Sequence, residues 1–264
     1  MRRSVTAVMR VQLHGPTRAV LEIVPANPAI VERESLVLRH EHGDIQVREL
    51  AGEHGARVQV ASVGAGRLDI EFSSIVDGRT EPEPASELDL IRFMRPSRYC
   101  ESDLLMPTAR WEFVGLEGFA LLDAVVNWVS SHLAYVSGSS LPTDGAARTL
   151  LNRQGVCRDY AHLTIAMLRA MDVPARMVSV YAPGLSPMDF HAVVEAHIDG
   201  AWYVVDPTRL APRQSLLRIA TGRDAADTAF LTTHDGDIDF QSLEVSAVAD
   251  VLPFDDIAKP VILG

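Results

Sequence analysis

Cysteine and basic residues are scarce in this chain of 264 residues. Only Cys100 and Cys157 are present, too few for the disulfide framework of a small secreted protein, so we expect free thiols in a reducing cytoplasm. Lys and Arg number 24 against 35 Asp and Glu, which gives a net charge of −11. Because nucleic acids and anionic membranes are bound through clustered Lys and Arg, neither is expected as a partner.

Long apolar runs are also missing. A membrane-spanning helix needs about 18 or more consecutive apolar residues, and no such stretch occurs. Near the amino terminus, Arg10 and Gln12 interrupt any apolar segment of the kind that a secretion signal requires. A cytoplasmic location is therefore the expectation.

Apolar residues make up 47% of the chain, which is enough to build packed cores. The length exceeds that of a typical single domain, so two domains are expected. Over residues 4–76 polar and apolar residues alternate, with glycines at intervals of about 8–12 residues, as is typical of a β-sandwich. Residues 79–87 are polar and contain two prolines, which indicates a linker. The predicted domains are a β-sandwich-like one over 1–87 and a second one over 88–264.

The second predicted domain begins with helices and ends with strands. Apolar residues at helical spacing predict an amphipathic helix over 119–133, and Thr143 is the expected cap of a shorter helix after it. A helix beginning at Cys157 follows, then a strand over 174–181, a hairpin, and a further strand over 243–248. Helices followed by strands are typical of α+β folds, so the whole chain is predicted to be α+β.

Cys157 is predicted to lie in the first turn of its helix. Tyr160, Leu163 and Met167 follow it at helical spacing, so the thiol falls on the buried face. Gly155 gives the preceding segment backbone freedom. The positive end of a helix dipole favours a thiolate, which is the nucleophilic form of cysteine. A nearby imidazolium would favour that form further, so a histidine is expected beside the thiol.

A histidine and an aspartate are predicted to meet on a β-hairpin downstream. The pair Asp-Gly at 199–200, between two apolar runs, is a strong hairpin signal. With those two residues as the loop, His191 and Asp206 become diagonal neighbours on one face of the sheet. Diagonal neighbours lie about 7–8 Å apart, within reach of a ring and a carboxylate.

The three side chains match the needs of acyl transfer through a thioester. A thiolate attacks an amide or ester carbonyl, an imidazole holds the thiolate and then protonates the leaving amine, and a carboxylate fixes the tautomer of the imidazole. Cys157, His191 and Asp206 are therefore the candidate catalytic residues.

Three segments resemble the core motifs of the transglutaminase-like superfamily. They are residues 155–162 (GVCRDYAH), 190–192 (FHA) and 202–208 (WYVVDPT). Residues 96–103 (PSRYCESD) and 221–224 (TGRD) are similar to segments of bacterial members that carry an additional N-terminal β domain. The resemblance thus covers nearly the whole chain.

What the resemblance implies agrees with the roles expected from chemistry. The family pattern makes Cys157 the nucleophile, His191 the acid and base, and Asp206 the orienting carboxylate. It also implies a papain-like core in which a helix packs on an antiparallel sheet. No cofactor is expected, and the substrate would be a peptide or a protein.

An acyl-transfer site also needs donors for the oxyanion. The backbone N–H of Cys157, at the start of its helix, is the expected first donor. The Gln154 side chain is the candidate for the second, and Tyr135 and Trp128 are further alternatives.

Several residues are expected to form the substrate cleft. They are Trp202, Phe190 and Tyr160, with the loop over 183–187 shaping the cleft beside His191. For Trp202, ordinary core packing is the alternative interpretation.

Other titratable residues are expected to have structural roles. Cys100 is expected to pack in the core, although a redox partnership with Cys157 stays open. His162 is expected on the exposed side of its helix, and His197 lacks a third ligand at suitable spacing, so no metal site is predicted. Residues 235–239 imitate the start of a calcium loop but lack its bidentate Glu, and a solvated turn is expected there.

The sequence therefore predicts cysteine-dependent acyl transfer, with hydrolysis of a peptide or amide bond as the first hypothesis. A protein-glutamine transglutaminase, which passes the acyl group to an amine, is one alternative. A non-catalytic module that binds peptides or proteins is another. Transfer to an amine needs a site that excludes water, and no sequence feature reveals one.

Overall fold

The computed structural model describes residues 1–82 and 84–264, in which seven strands precede the first of five α-helices. Glu83, in the predicted linker, lies outside the described residues. The strands are β1 Arg2–Leu13, β2 Thr17–Leu21, β3 Val31–His40, β4 Gly43–Asp44, β5 Arg48–Ala51, β6 Arg57–Val63, β7 Gly66–Asp77, β8 Ala134–Tyr135, β9 Gln154–Gly155, β10 Ala175–Tyr181, β11 Phe190–Ile198, β12 Ala201–Val205, β13 Leu217–Gly222, β14 Leu231–His234 and β15 Ile238–Ala249. The helices are α1 Glu87–Arg92, α2 Ser102–Glu112, α3 Gly118–His132, α4 Ala146–Asn152 and α5 Cys157–Ala170. The predicted α+β class is confirmed.

Two antiparallel sheets form the N-terminal β unit, which consists of strands β1 to β7 with β14 and β15. Their orders are β15-β1-β7-β3-β4 and β14-β2-β6-β5. Along β1 every second side chain is buried, including Val5, Ala7 and Met9, because successive residues of a strand point to opposite faces. These apolar faces enclose one core.

The last two strands join this unit although they come at the end of the chain. β15 pairs with β1 along its length, and β14 pairs with β2. The predicted strand over 243–248 is part of β15. The division at residue 87 stays a prediction, but hydrogen bonding joins residues 231–249 to the first unit, whereas the predicted boundaries assigned them to the second.

The central sheet, in the order β12-β11-β10-β13, carries the helices on one face. Helix α5 packs against β10 and β11, and α2, α3 and α4 surround it. The predicted helices over 119–133 and from Cys157 are α3 and α5. The predicted cap at Thr143 is wrong, because α4 begins at Ala146 with Gly145 as its N-cap. No helix in the described part of the chain has the length and apolar character needed to cross a bilayer.

The second face of the central sheet is also covered. Val178, Val180 and Val193 pack with the C-terminal residues Val261 and Leu263. Side chains from β10 and β13 also reach into the core of the N-terminal β unit. Because both faces are buried, β10 is apolar along nearly its whole length.

A buried ion network holds this face of the sheet together. The Glu195 carboxylate on β11 accepts hydrogen bonds from Arg176 Nε on β10 at 2.7 Å and from Arg218 Nη2 on β13 at 2.6 Å. Burial alone would raise the pKa of Glu195, but the two guanidinium groups hold it below its usual range. Arg176 also lies over the Trp202 ring of β12, 4.1 Å from its centroid, so all four strands take part.

Glu195→Gln is expected to destabilise the protein strongly, because it removes the negative charge between two guanidinium groups. Breaking a buried pair from one side costs about 3–5 kcal/mol. Since the pKa of Glu195 is lowered by folding, its stabilisation is present above the usual value of 4.5 and is lost as pH falls through the lowered value. Urea unfolding at pH 7 and at lower pH measures both effects.

The matched control is Glu71→Gln, which makes the same change in an exposed pair with Arg39. That pair should contribute only about 0–1 kcal/mol. Equal losses of unfolding free energy in the two variants would contradict the role assigned to Glu195.

Candidate active site

The first turn of α5 is held in place by the carboxylate of Asp159. Its Oδ2 accepts a hydrogen bond from the backbone N–H of Val156 at 2.8 Å, and its Oδ1 accepts one from Ser140 Oγ at 2.9 Å. The N–H groups at the start of a helix have no carbonyl of a preceding turn to bond to, and the Asp159 carboxylate supplies the acceptor for one of them. Cys157 is the first residue of the helix, as predicted, and its side chain is partly buried. The backbone at Cys157 is therefore fixed, because Asp159 is bonded both to the residue before Cys157 and to Ser140.

Gly155 allows the close approach of this carboxylate. A Cβ at residue 155 would lie 2.6 Å from Cβ of Asp159 and 2.9 Å from its Oδ2. Gly155 also ends the short strand β9, which runs parallel to β8. Any larger residue at position 155 would push the Asp159 carboxylate away from the backbone N–H of Val156.

His191 and Asp206 meet at the end of the β11–β12 hairpin. The strand register places Ile198 opposite Ala201, as the Asp-Gly loop predicts. Asp206 follows the last residue of β12, and its Oδ2 lies 2.9 Å from His191 Nε2. Its other oxygen accepts hydrogen bonds from the Thr208 hydroxyl at 2.7 Å and the Thr208 N–H at 2.9 Å. The carboxylate therefore has one orientation, with one oxygen directed at the imidazole.

The electrostatics of the pair favour an imidazolium next to a carboxylate. Burial alone would lower the pKa of His191, but the charge and hydrogen bond of Asp206, together with those of the Cys157 thiolate, raise it to about 10. Burial alone would raise the pKa of Asp206, but His191 and Thr208 hold it below its usual range. Because Nε2 is bonded to Asp206, Nδ1 is the ring nitrogen left for the thiol.

This arrangement can stabilise a thiolate and deliver a proton. His191 and Asp206 are brought together, and Cys157 acts on the His191 ring through its charge and a hydrogen bond. An imidazolium beside a thiolate keeps the sulfur nucleophilic and holds the proton that a leaving amine needs.

Two of the residues expected in the cleft lie elsewhere. Phe190 precedes His191 in β11, and its ring packs with Tyr181 and Phe230 against the core of the N-terminal β unit. Adjacent residues of a strand point to opposite faces of the sheet, so Phe190 and His191 have different surroundings although they are neighbours in sequence. Trp202 sits four residues before Asp206, about 13 Å along the strand at about 3.3 Å per residue, and packs against the rings of Phe93 and His197.

Tyr160, the third cleft candidate, and Gln154, the oxyanion candidate, belong to the segment around Cys157. Tyr160 is buried one turn after Cys157, and its hydroxyl donates a hydrogen bond to the Leu133 carbonyl at 2.8 Å. Gln154 is exposed on β9, and within residues 1–82 and 84–264 its side chain makes no hydrogen bond.

His162 and Cys100 are structural residues. The prediction that His162 is exposed is wrong, because its ring is fully buried, stacks on Tyr99 and accepts a hydrogen bond from the Ala225 N–H at 3.1 Å. Burial lowers the pKa of His162 to about 3. Cys100 is buried and unpaired, and burial raises the pKa of its thiol to about 12.

Sequence reasoning missed the residues that hold the candidate catalytic residues in place. Asp159, Ser140 and Thr208 were not among the candidates, yet they fix the start of α5 and the carboxylate. Asp three residues after the N-cap and Thr two residues after Asp206 are local capping patterns that the sequence does contain. Among the residues that the structure describes, no group of three His, Cys, Asp or Glu is placed to bind a metal ion.

Comparison with known proteins finds a family profile and a solved structure that are similar to this chain. The sequence profile of the transglutaminase-like superfamily matches residues 117–207, which include all three candidate catalytic residues. A crystal structure of a provisionally assigned cysteine protease from Cytophaga hutchinsonii is similar over 100% of this chain and 94% of that one, with 31% identity and a TM-score of 0.88.

Uncharacterized mycobacterial proteins are similar over part of the chain. One from Mycobacterium leprae is 32% identical over 119 residues, which is 40% of this chain and 41% of that protein. One from Mycobacterium bovis is 30% identical over 145 residues, which is 48% of this chain and 45% of that protein. In both cases the chain matches less than half of the relative's length.

Asp206→Asn is expected to lower the pKa of His191, because it removes the negative charge that outweighs burial. The pKa should fall from about 10 towards the usual 6.5 or below it. Titration of ¹³C-labelled histidine rings by NMR follows this change directly. The variant should also lose about 10²–10⁴-fold in any acyl-transfer rate.

Asp239→Asn is the control for that titration. It removes the carboxylate from the exposed His14–Asp239 pair, whose contact distance is also 2.9 Å. The titration of His191 should be unchanged in this variant. An unchanged titration in Asp206→Asn as well would show that the buried pair does not set the charge of His191.

Gly155→Ala should disturb the thiol, because the new methyl group overlaps with Asp159. We expect the rate of iodoacetamide alkylation at Cys157 to fall about tenfold or more and the free energy of unfolding to fall by about 1–3 kcal/mol. Gly15→Ala is the control, since a Cβ there has nothing within 4 Å. If the two variants behave alike, the close contact at Gly155 does not position the thiol.

Proposed function

Because this chain belongs to the transglutaminase-like superfamily, we propose that it is a cysteine hydrolase that cleaves peptide or amide bonds through a thioester. Cys157 is the nucleophile, His191 the acid and base, and Asp206 the orienting carboxylate. The observation that carries the proposal is the 2.9 Å contact between buried His191 and Asp206, placed beside the first residue of a buried helix.

The reaction follows from the charges of the site. The thiolate attacks the carbonyl carbon, a C–S bond forms, and the carbonyl electron pair moves to oxygen. As that pair returns, the C–N bond breaks and the leaving nitrogen takes the proton held by His191. His191, now neutral, accepts a proton from water as the water attacks the thioester. The acid is released and the thiolate–imidazolium pair is restored.

Two observations support catalysis over a module that only binds. A buried His–Asp pair is costly to desolvate, and perturbed titratable groups of this kind cluster at catalytic sites. The carboxylate is also fixed by Thr208 in a way that binding a peptide would not require.

Water is the proposed acceptor of the acyl group. The provisional assignment of the Cytophaga protein as a cysteine protease supports hydrolysis. Cys157 is only partly buried, and the neighbouring Tyr135 is 46% exposed, so water can approach the thioester. We also propose a peptide or protein substrate and a cytoplasmic setting, in which the thiol stays reduced.

The test is mass spectrometry of the protein after incubation with a peptide library and the primary amine dansylcadaverine. We expect peptides cleaved or deamidated by water, together with an acyl adduct on Cys157. Cys157→Ala should lose these products by about 10⁴-fold or more. Amine-coupled peptides as the main product would favour the transglutaminase alternative.

Cys100→Ala is the matched control, because it removes the other thiol of the chain, which is buried away from His191. It should retain the activity with some loss of stability. Absence of hydrolysed and coupled products in the wild type, with no adduct on Cys157, would contradict an enzymatic role and favour the binding module.

A further inference from the structure

A cavity of about 460 Å³ borders the carboxylate of the His191–Asp206 pair. One face of α3, strand β12, the loop after β12 and the C-terminal segment 255–260 form its walls. Of the three candidate catalytic residues, it is Asp206 that lines this cavity. Cavities that bind small molecules have volumes of about 300–1,000 Å³. The cavity is therefore large enough for a small ligand, and it meets the candidate active site on the side of the carboxylate.

The helical wall of the cavity is apolar. Phe119, Leu122 and Val126 follow one another along α3 at spacings of three and four residues, so their side chains share a face. The Phe119 ring meets the Tyr203 ring of β12 edge to face, with 4.9 Å between the centroids. On the C-terminal segment, Ile257 also lines the cavity, although it is 57% exposed. An apolar group bound here would remove such surface from water, which is favourable.

Arg209 supplies a positive charge to the cavity. Its Nη2 donates a hydrogen bond to the side-chain oxygen of Asn127 on α3. Over residues 1–82 and 84–264, no ion pair joins the Arg209 guanidinium to a carboxylate. Arg213 also lines the cavity, but it is bonded to Asp255 through Nε and Nη2, at 3.0 and 2.9 Å. Because arginine holds five N–H donors in a planar fork suited to a carboxylate, most of those of Arg209 remain available to a ligand.

The backbone holds Arg209 in a conformation that favours glycine. Its φ is +57°, in the left-handed region. Its N–H donates a hydrogen bond to the Asp206 carbonyl at 3.2 Å, so the orienting carboxylate and the unpaired cation belong to one turn. Strained backbone at a residue other than glycine is concentrated at catalytic and ligand-holding positions. A glycine would adopt this turn without strain, so an arginine here points to a role for its side chain.

Asp123 limits the charge that a ligand can carry. It lines the cavity from α3, one turn before Asn127, and it is exposed. The neighbouring charges are already paired, since Asp255 is bonded to Arg213 and Lys259 lies 3.5 Å from Asp256. A second negative charge on the ligand would be repelled by Asp123. One carboxylate is therefore favoured over a dianion such as a phosphate monoester.

We propose that this cavity binds a small monocarboxylate with an apolar body, such as an N-acylated apolar amino acid, and that Arg209 is its anchor. The ligand carboxylate accepts hydrogen bonds from the available N–H groups of Arg209, while the apolar body packs on Phe119, Val126 and Ile257. Because Arg209 and Asp206 share a turn, the bound ligand adds to the contacts that hold the orienting carboxylate. The ligand is bound without any bond being made or broken.

The test uses two probes with the same apolar body, N-acetyl-L-leucine and N-acetyl-L-leucinamide, of which only the first is charged. Binding is followed by NMR of the protein labelled with ¹³C at the isoleucine methyl groups, where Ile257 reports from the cavity. We expect N-acetyl-L-leucine to shift the Ile257 signal saturably, with a Kd of about 0.1–10 mM. The amide should bind about tenfold or more weakly, because it cannot accept the charge-assisted hydrogen bonds.

Arg209→Gln should remove the preference for the charged probe. The affinity for N-acetyl-L-leucine is expected to fall about tenfold or more, while that for the amide changes by less than about threefold. Val126→Ala should instead weaken both probes by similar factors, since it removes only apolar surface. Arg48→Gln is the matched control, because Arg48 is an exposed arginine on β5 of the N-terminal β unit, and it should leave both affinities unchanged.

Equal binding of the two probes by the wild type would overturn the proposal, as would an unchanged preference in Arg209→Gln. The absence of a saturable Ile257 shift up to about 50 mM N-acetyl-L-leucine would also overturn it. The measurement does not involve the thiol, so Cys157→Ala should bind both probes as the wild type does. Failure of this proposal therefore leaves the proposed hydrolase function standing.

Discussion

Helix α5 is buried along almost its whole length, yet its first residue, the proposed nucleophile, is only partly buried. All its residues from 159 to 170 are buried. A helix of this kind exists only where other elements cover every side, and here α2, α3 and α4 face it on one side and the central sheet on the other. The packing leaves one end uncovered. Cys157 therefore combines a rigid backbone with an accessible side chain, which is the compromise that a nucleophile requires.

The buried charges follow from this packing. A charge removed from water must be paired and hydrogen-bonded, or it is lost by a shift in pKa. Arg169 on α5 bonds the carbonyls of Ala175 and Arg223, at 2.9 and 2.7 Å, and so ties the helix to the sheet and to the loop after β13. Glu195 satisfies the same rule with two arginines. The pair of His191 and Asp206 obeys the same rule, but its imidazole also interacts with the Cys157 thiol. This additional contact distinguishes the pair that we propose to be reactive from the structural pairs.

Local patterns predicted the features that neighbours in sequence determine. The start of α5 at Cys157 and the hairpin register followed from helical spacing and from one Asp-Gly turn, since each depends on a few adjacent residues. Periodicity predicted His162 on the exposed side of α5, but Tyr99 and the loop carrying Ala225 cover that residue. Burial by distant parts of the chain leaves no local pattern, which is why that prediction failed. Strand alternation also relates Trp202 to Asp206, but four residues of extended strand separate them by about 13 Å.

The topology links the N-terminal β unit to the site. β1 lies between β7 and β15, so the sheet that starts the chain is completed only by a strand near its end. Strand pairs this distant in sequence form late, because closing a long loop costs entropy before any contact repays it. The residues between them include α5 and the central sheet. Tyr181 and Leu217 of that sheet enter the core of the N-terminal β unit, and the Tyr181 hydroxyl bonds the Ile23 carbonyl at 2.7 Å. The β unit thus packs against the sheet that carries His191, so the position of that sheet depends on the β unit as well as on α5.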